Sequence, residues 1–217
     1  MPDTCLLIAP GVRLWREALT RDAQRALVDE IFRLAKKAPF YRPTMPKSEK
    51  PFSVEETNFG PLGWFSDREG YRYVARHPYT DELWPAIPSC LLALWDTADA
   101  GPPPQCCLVN LYREGARMGL HQDRDEDAVE VPVVSVSLGD DALFRIGTTS
   151  RKGPTQSFKL ASGDVVAFGG PARLAFHGID RVMSGTSSIV PGGGRLNLTL
   201  RRVTKADLPK KDARPGG

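Results

Sequence analysis

His121 and Asp123 stand two residues apart in the stretch Asn110-Leu-Tyr-Arg-Glu-Gly-Ala-Arg-Met-Gly-Leu-His-Gln-Asp-Arg-Asp-Glu126. In a strand, residues i and i+2 point to the same face, so an imidazole and a carboxylate so spaced can grip one metal ion. The chain has 3 histidines. His77 precedes Pro78 in a turn-like run and is expected to have no catalytic duty, whereas His177 closes the run Leu174-Ala-Phe-His177. Alone, a His-x-Asp triplet is more simply a hydrogen-bonded core histidine beside a solvated acidic turn. It becomes chemistry only if the rest of the chain supplies a third ligand and something for the metal to act on.

Two histidines and one carboxylate on the strands of a small barrel form the facial ligand set of non-haem Fe(II) sites, which leaves three coordination positions open. Mn, Co or Ni suit the same ligands, so ligand type alone does not select the metal. The run Gly194-Arg-Leu-Asn-Leu-Thr-Leu-Arg201 adds the second half. Its alternation is unbroken, with Leu196, Leu198 and Leu200 on one side and Arg195, Asn197, Thr199 and Arg201 on the other. An edge strand would turn that polar face to water. The alternative is a cradle for a small dicarboxylate, held by charge-assisted hydrogen bonds worth about 1.5–3 kcal/mol each. An iron site needs an electron source to activate O2, and a bound 2-oxo dicarboxylate is one. Asn110 and Tyr112, on one face of their strand, are further donors to it.

The elements that position these residues follow from the periodicity. Residues 20–38 carry the clearest helical pattern, with Thr20 as N-cap, Leu27, Ile31 and Leu34 on one face and Pro39 as the stop. A second helix is expected from Ile87 to Ala98, with Leu91, Leu94 and Trp95 facing inward. Between them, Pro39 to Pro61 is proline-rich and without a sustained period, which predicts a mobile surface segment such as a lid. The run Gly63 to Tyr73 brings Trp64, Tyr71 and Tyr73 together with Arg68 and Arg72, as a hairpin. Aromatics interleaved with arginines offer stacking faces and phosphate contacts to unpaired bases, although packing on the core is the commoner duty of such side chains. Beyond Gly101-Pro-Pro-Pro104, strand follows strand: Cys107 to Tyr112, Val131 to Leu138, Ala142 to Gly147, Gln156 to Leu160, Asp164 to Phe168, Leu174 to His177 and Arg195 to Val203. This predicts a mainly β protein with flanking helices, an antiparallel jelly-roll core over 105–203, helices and a lid over 1–104, and a flexible tail over 204–217.

The bulk composition agrees with a single structural unit. A chain of 217 residues can bury roughly 70% of its unfolded surface without staples. The net charge of +3 tolerates a polyanion without demanding one. Cys5, Cys90, Cys106 and Cys107 contain no CxxC pair and read as reduced thiols of a cytosolic protein. No apolar run approaches the ~18–20 residues of a membrane span, and the N-terminal patch Cys5 to Ala9 lacks the flanks of a signal peptide.

The chain from roughly Thr57 to Arg202 resembles the AlkB family of iron- and 2-oxoglutarate-dependent dioxygenases. The match is carried by Asn-Leu-Tyr112, His-Gln-Asp-Arg-Asp-Glu126, Val-Ser-Val-Ser-Leu-Gly139, Gly-Asp-Val-Val166, Phe-His-Gly178 and Arg-Leu-Asn-Leu-Thr-Leu-Arg201, in that order. The resemblance implies a double-stranded β-helix core with an N-terminal nucleotide-recognition lid. It implies Fe(II) on His121, Asp123 and His177, and 2-oxoglutarate on Asn110, Tyr112, Arg195, Asn197 and Arg201, with Thr199 on the same face. It places Trp64 and Tyr71 in the lid and Asp125 and Arg151 in the base pocket, and Tyr73 is expected with them among the substrate contacts. The implied reaction is oxidative demethylation of 1-methyladenine- and 3-methylcytosine-type bases in DNA, single strands preferred, with O2 consumed and formaldehyde, succinate and CO2 released. Alternatives are the same chemistry on RNA or tRNA, hydroxylation of a protein or small molecule, and a nucleic-acid-binding module without catalysis. A cytoplasmic monomer without membrane contact is expected. Three positions depart from the pattern: Phe168 stands where a tryptophan is expected, Glu56 where an apolar lid residue is expected, and Ile146 where an aromatic is expected.

Overall fold

A computed structural model describes residues 4–205. Two antiparallel sheets make the core, seven strands in the order β1-β2-β11-β8-β13-β6-β3 and four in the order β10-β9-β12-β7. The larger sheet comprises β1 (Leu6–Ala9), β2 (Val12–Trp15), β11 (Val165–Phe168), β8 (Val133–Gly139), β13 (Arg195–Arg201), β6 (Cys106–Tyr112) and β3 (Glu55–Phe59). The smaller comprises β10 (Gln156–Leu160), β9 (Asp141–Ile146), β12 (His177–Met183) and β7 (Met118–His121). Leu14, Val133 and Val166 of the first meet Phe144, Ile146 and Ile179 of the second in one apolar cluster. This is the jelly roll that the spacing predicts.

Helix α1 (Arg21–Leu34) begins where the Thr20 hydroxyl accepts from the Ala23 N–H. It is shorter than the predicted 20–38: past the C-cap Ala35, the Lys36 and Lys37 N–H groups bond back three residues to the Arg33 and Leu34 carbonyls, which tightens the end into turns before Pro39. Helix α2 (Ser89–Thr97) starts two residues later than predicted, behind Pro88. Leu27, Val28 and Ile31 of α1 and Leu91, Leu94 and Trp95 of α2 join Leu196, Leu198 and Leu200 in a second cluster. Both helices therefore cover the outer face of the large sheet. The leucines of β13 face them, so its polar residues face the gap between the sheets. Flanked by β6 and β8 on its two sides, β13 is a central strand, and the edge-strand reading of its polar face is excluded.

Three expectations fail at the level of local structure. The segment Pro39 to Pro61 contains β3, an edge strand of the large sheet paired with β6. Thr57 and Phe59 point to the helix side, while Glu56 and Asn58 point inward, all four fully buried. An inward face made of a glutamate and an asparagine hides the alternation on which strand recognition relies. Near the N-terminus, β2 pairs with β11, so the large sheet draws β1, β2 and β3 from before residue 105. The strand expected to end at His177 begins there instead, after a 3-10 turn at Gly170–Ala172. The smallness of Gly178 explains why this register is possible, since a Cβ there would lie 2.5 Å from the Met118 carbonyl oxygen. Glycine lets β12 close onto β7 with His177 opposite His121.

The hairpin of β4 (Gly63–Asp67) and β5 (Gly70–Val74) forms as predicted. Of the tail expected over 204–217, residues 206–217 lie outside the described residues; Thr204 is tied to Gln105 through its N–H at 2.8 Å. Among the described residues, no helix is long and apolar enough to cross a membrane.

Candidate active site

His121 ends β7, His177 opens β12, and Asp123 lies just past β7. The register of β7 against β12 sets the two imidazoles 4.5 Å apart, centroid to centroid. The Asp123 Oδ1 lies 3.7 Å from His121 Nε2 and 4.0 Å from His177 Nε2. Two metal–ligand bonds of about 2.1 Å reach atoms up to about 4.2 Å apart, so one ion can touch all three. The tautomers are also set. Each Nδ1 lies against a backbone carbonyl, Gly119 at 2.9 Å and Ala175 at 3.0 Å. A carbonyl only accepts, so each Nδ1 carries the proton and each Nε2 lone pair is free for a metal. Burial, and then the neighbouring His121, push His177 down to about 4, which keeps it neutral and able to ligate.

The Asp123 carboxylate is divided between two tasks. Its Oδ1 faces the histidines, and its Oδ2 accepts from Arg201 Nε and lies 2.9 Å from Nη2 as well. Burial opposes its ionisation, but Arg201, with the two histidines and Arg173, outweighs this and holds the carboxyl well below the usual range. Arg173 is the part of this arrangement that sequence reasoning missed. Fully buried, it donates to the Asp123 carbonyl at 2.6 Å, the Val131 carbonyl at 2.8 Å and the Glu126 carboxylate at 3.0 Å. It lies four residues before His177, a position whose only signal is proximity to a suspected ligand. Arg173→Ala is expected to destabilise the fold by about 3–5 kcal/mol, because Glu126 would be left buried without its closest cation. A denaturant midpoint that barely moved would deny Arg173 this role.

Across the gap, Arg195 is completely buried, donates to the Ser137 hydroxyl at 2.9 Å, and leaves Nε and Nη1 without partners. Among the described residues no carboxylate pairs with it, and burial pulls its pKa down. Its guanidinium sits over the Tyr112 ring at 5.3 Å. The Oδ1 of Asn110, on the same inner face, is likewise buried and unpartnered. Thr199 donates to Asn197, which donates to the Ser135 hydroxyl. The unpaired Nε and Nη1 donors of a buried cation are what a small anion would complete, whereas the Asn110 Oδ1 is an acceptor and calls for a donor. The donor set of this wall, two arginines with Asn110, Tyr112, Asn197 and Thr199, fits a small dicarboxylate such as 2-oxoglutarate.

The three candidate metal ligands and Asn110, Tyr112, Arg195, Asn197, Thr199 and Arg201 line one cavity of about 820 Å³, as do Trp64, Tyr71, Asp125 and Arg151. Trp64 stacks on Tyr71, centroids 5.5 Å apart, and its Nε1 donates to Asp125 at 3.0 Å. Arg151 lies over Phe176 at 5.6 Å. Tyr73, expected with the substrate contacts, is not part of the cavity wall. It packs with Cys106 and Leu108, and its hydroxyl donates to Glu126. Of the three departures, Phe168 touches the metal site, its ring 4.6 Å from that of His177. Ile146 lies behind His177, opposite it in register, and not on the cavity wall. Glu56 is on β3 rather than in a mobile lid, and it lines the cavity.

The model of the 2OG-Fe(II) oxygenase superfamily matches residues 11–201. The chain belongs to this superfamily. It is 57% identical over 204 residues to an alpha-ketoglutarate-dependent dioxygenase AlkB homolog of Caulobacter vibrioides, covering 93% of this chain and 91% of that protein. It is 39% identical to the alpha-ketoglutarate-dependent dioxygenase AlkB of Escherichia coli, covering 93% and 94%. The solved structure of OsALKBH1 superposes with a TM-score of 0.79 at 29% identity, covering 92% of this chain and all of that one. As a 2OG-Fe(II) oxygenase, the chain is a dioxygenase that depends on iron and 2-oxoglutarate. His121, Asp123 and His177 form a potential metal triad, their ligand atoms all within 4.8 Å of one another.

Proposed function

We propose that this oxygenase oxidatively demethylates N-alkylated bases of the 1-methyladenine and 3-methylcytosine type in DNA, with single strands preferred. The observation that carries the reading is that metal triad, arginine cradle and the Trp64–Tyr71–Asp125 group open onto one cavity. The similarity to proteins named AlkB supports it. An iron ion on His121, Asp123 and His177 would supply O2 activation coupled to oxidation of 2-oxoglutarate to succinate and CO2, with one oxygen atom delivered to the N-methyl carbon. The hydroxylated methyl group then leaves as formaldehyde and the base is restored.

The residues of the chain prepare that event. Arg201 holds the far oxygen of Asp123, which aims the near one at the metal. Arg195, Asn110 and Tyr112 bind the distal carboxylate of the cosubstrate. Phe144, Phe168 and Phe176 wall the cavity with hydrocarbon and keep water from it. Trp64 and Tyr71 stack the base, and Asp125 favours a positively charged one. A stacked duplex base cannot reach such a site, so it enters flipped or already unpaired. The cysteines are free thiols, which suits a reducing cytoplasm.

The test is mass spectrometry of matched DNA and RNA oligonucleotides carrying one 3-methylcytosine, incubated with protein, Fe(II), 2-oxoglutarate and O2. Loss of a methyl mass from DNA is expected. Succinate without such a loss on either strand would sink the demethylase reading, and loss from RNA alone would transfer it to RNA. Trp64→Ala is expected to weaken oligonucleotide binding by about 10- to 100-fold, the range of one lost base stack. The uncoupled decay of 2-oxoglutarate should stay within about twofold, because the indole has no part in the cradle.

A further inference from the structure

Strand β3 brings into the cavity an acid that neither the metal triad nor the cosubstrate cradle uses. Glu56 is 1% exposed. It faces Asn110 in register, and Asn110 faces Asn197, so the three side chains stand in one row across the inner face of the sheet. Two residues further along, Asn58 shares that face and binds both the N–H and the C=O of Trp64, each at 3.0 Å. Glu56 therefore lies between the cosubstrate wall and the backbone that carries the lid tryptophan.

Its Oε2 is buried with no hydrogen-bond partner among the described residues. Among the described residues Arg201 is the one cation that acts on it, and Arg201 is already committed to Asp123 at 2.9 Å with Glu126 at 3.6 Å. The other titratable groups that feel its charge are Tyr112 on β6 and Tyr41, whose backbone bridges to that of Glu56. Neither phenol can neutralise a carboxylate. A buried polar group left unsatisfied is costly and calls for an explanation, and here a ligand in the cavity supplies one. Asp125, the other acid offered to a base, is exposed at the rim and screened by water. Glu56 is not.

We propose that Glu56 is a specificity-determining residue that favours positively charged alkylated bases over neutral ones, by meeting the cationic base as a carboxylate inside the cavity. The proposal rests on the demethylase reading above and names the charge class of its substrate. Burial pushes the Glu56 carboxyl up to about 8, against the pull of Arg201, so it is largely neutral in the free protein at pH 7. A cationic base beside it in a low-dielectric space reverses that preference. One proton passes to solvent, and a carboxylate–cation contact forms. A neutral base gives no such contact and releases no proton.

Two lesions of nearly equal shape separate the possibilities: 3-methylcytosine, which is cationic, and 3-methylthymine, which is neutral. Wild type and Glu56→Gln, both with Fe(II) and 2-oxoglutarate, are compared on matched oligonucleotides. The variant should lose about tenfold in kcat/KM on 3-methylcytosine, stay within about twofold on 3-methylthymine, and keep its KM for 2-oxoglutarate. An unchanged ratio between the lesions would overturn the proposal. So would a shifted KM for 2-oxoglutarate with that ratio intact, which would place Glu56 on the cosubstrate. Anaerobic calorimetry of a 3-methylcytosine trinucleotide, in two buffers of different ionisation heat, gives a readout independent of turnover. Wild type should release close to one proton per base bound at pH 7 and Glu56→Gln none. If wild type releases none, the proposal fails even should the variant not fold. Wild type that acts on neither lesion while consuming 2-oxoglutarate would remove the demethylase reading and this proposal with it. Wild type that acts on both, with a ratio the variant does not change, removes this proposal alone.

Discussion

Asp123→Ala is expected to abolish formaldehyde release and to lower kcat/KM by more than about 1,000-fold, well beyond the ~10- to 100-fold typical of losing a contact that only supports a ligand. The carboxylate has two roles that fail together. Its Oδ1 faces both imidazoles and would be the anionic member of the ligand set. Its Oδ2 neutralises Arg201, which is fully buried. Truncation leaves the guanidinium facing His177 and any bound metal with one negative charge fewer, and stranding a buried charge costs about 3–5 kcal/mol. Metal affinity and stability should therefore fall in the same variant. Asp123→Asn separates the terms, since it keeps the volume and removes the charge. It too should lose turnover, because an amide cannot balance Arg201 and the metal at once. Iron titration, thermal unfolding and formaldehyde release on each variant provide the check. Full activity in Asp123→Ala would take Asp123 out of the metal set.

Arg195→Met is expected to behave in the opposite way toward stability. In the protein without cosubstrate, Arg195 is a buried cation with two unpartnered N–H groups and no carboxylate beside it. Replacing it by an apolar chain of similar length removes an uncompensated charge, so the unfolding midpoint should hold or rise. The KM for 2-oxoglutarate should rise by about 100-fold, or about 2.7 kcal/mol, the loss of one or two charge-assisted hydrogen bonds. Added 2-oxoglutarate should raise the melting temperature of wild type and, at the same concentration, move that of the variant far less. An unchanged KM would show that the cosubstrate lies elsewhere on the wall. A large fall in stability would show that Arg195 serves the fold and not the ligand.

The residues proposed to hold the metal and the cosubstrate are largely those whose spacing betrays them. His121 and Asp123 are legible because a period of two is a local property of a strand, and β13 is legible because its alternation has no exception. What local periodicity cannot show is whether a polar face meets water or another sheet. The face of Arg195, Asn197, Thr199 and Arg201 is compatible with either, and only its place between β6 and β8, opposite the small sheet, decides. Arg173 and Glu56 escaped as site residues for a related reason. Arg173 acts through a carbonyl 50 residues away, and Glu56 sits in a segment whose composition reads as a loop. Tyr73, by contrast, has the right type and neighbours, yet its hydroxyl is taken by Glu126.

By itself the sequence determined the candidate metal ligands, the jelly-roll class, both helices and the β4–β5 hairpin, since each depends on periodicity and on residue chemistry within about ten positions. The tertiary structure alone decided that β3 belongs to the large sheet. It also decided that β12 begins at His177 rather than ending there, and that Arg201 pairs with Asp123. Those outcomes depend on which strands become neighbours. That choice is made by packing between segments 50 to 150 residues apart, where no local pattern of side chains reaches.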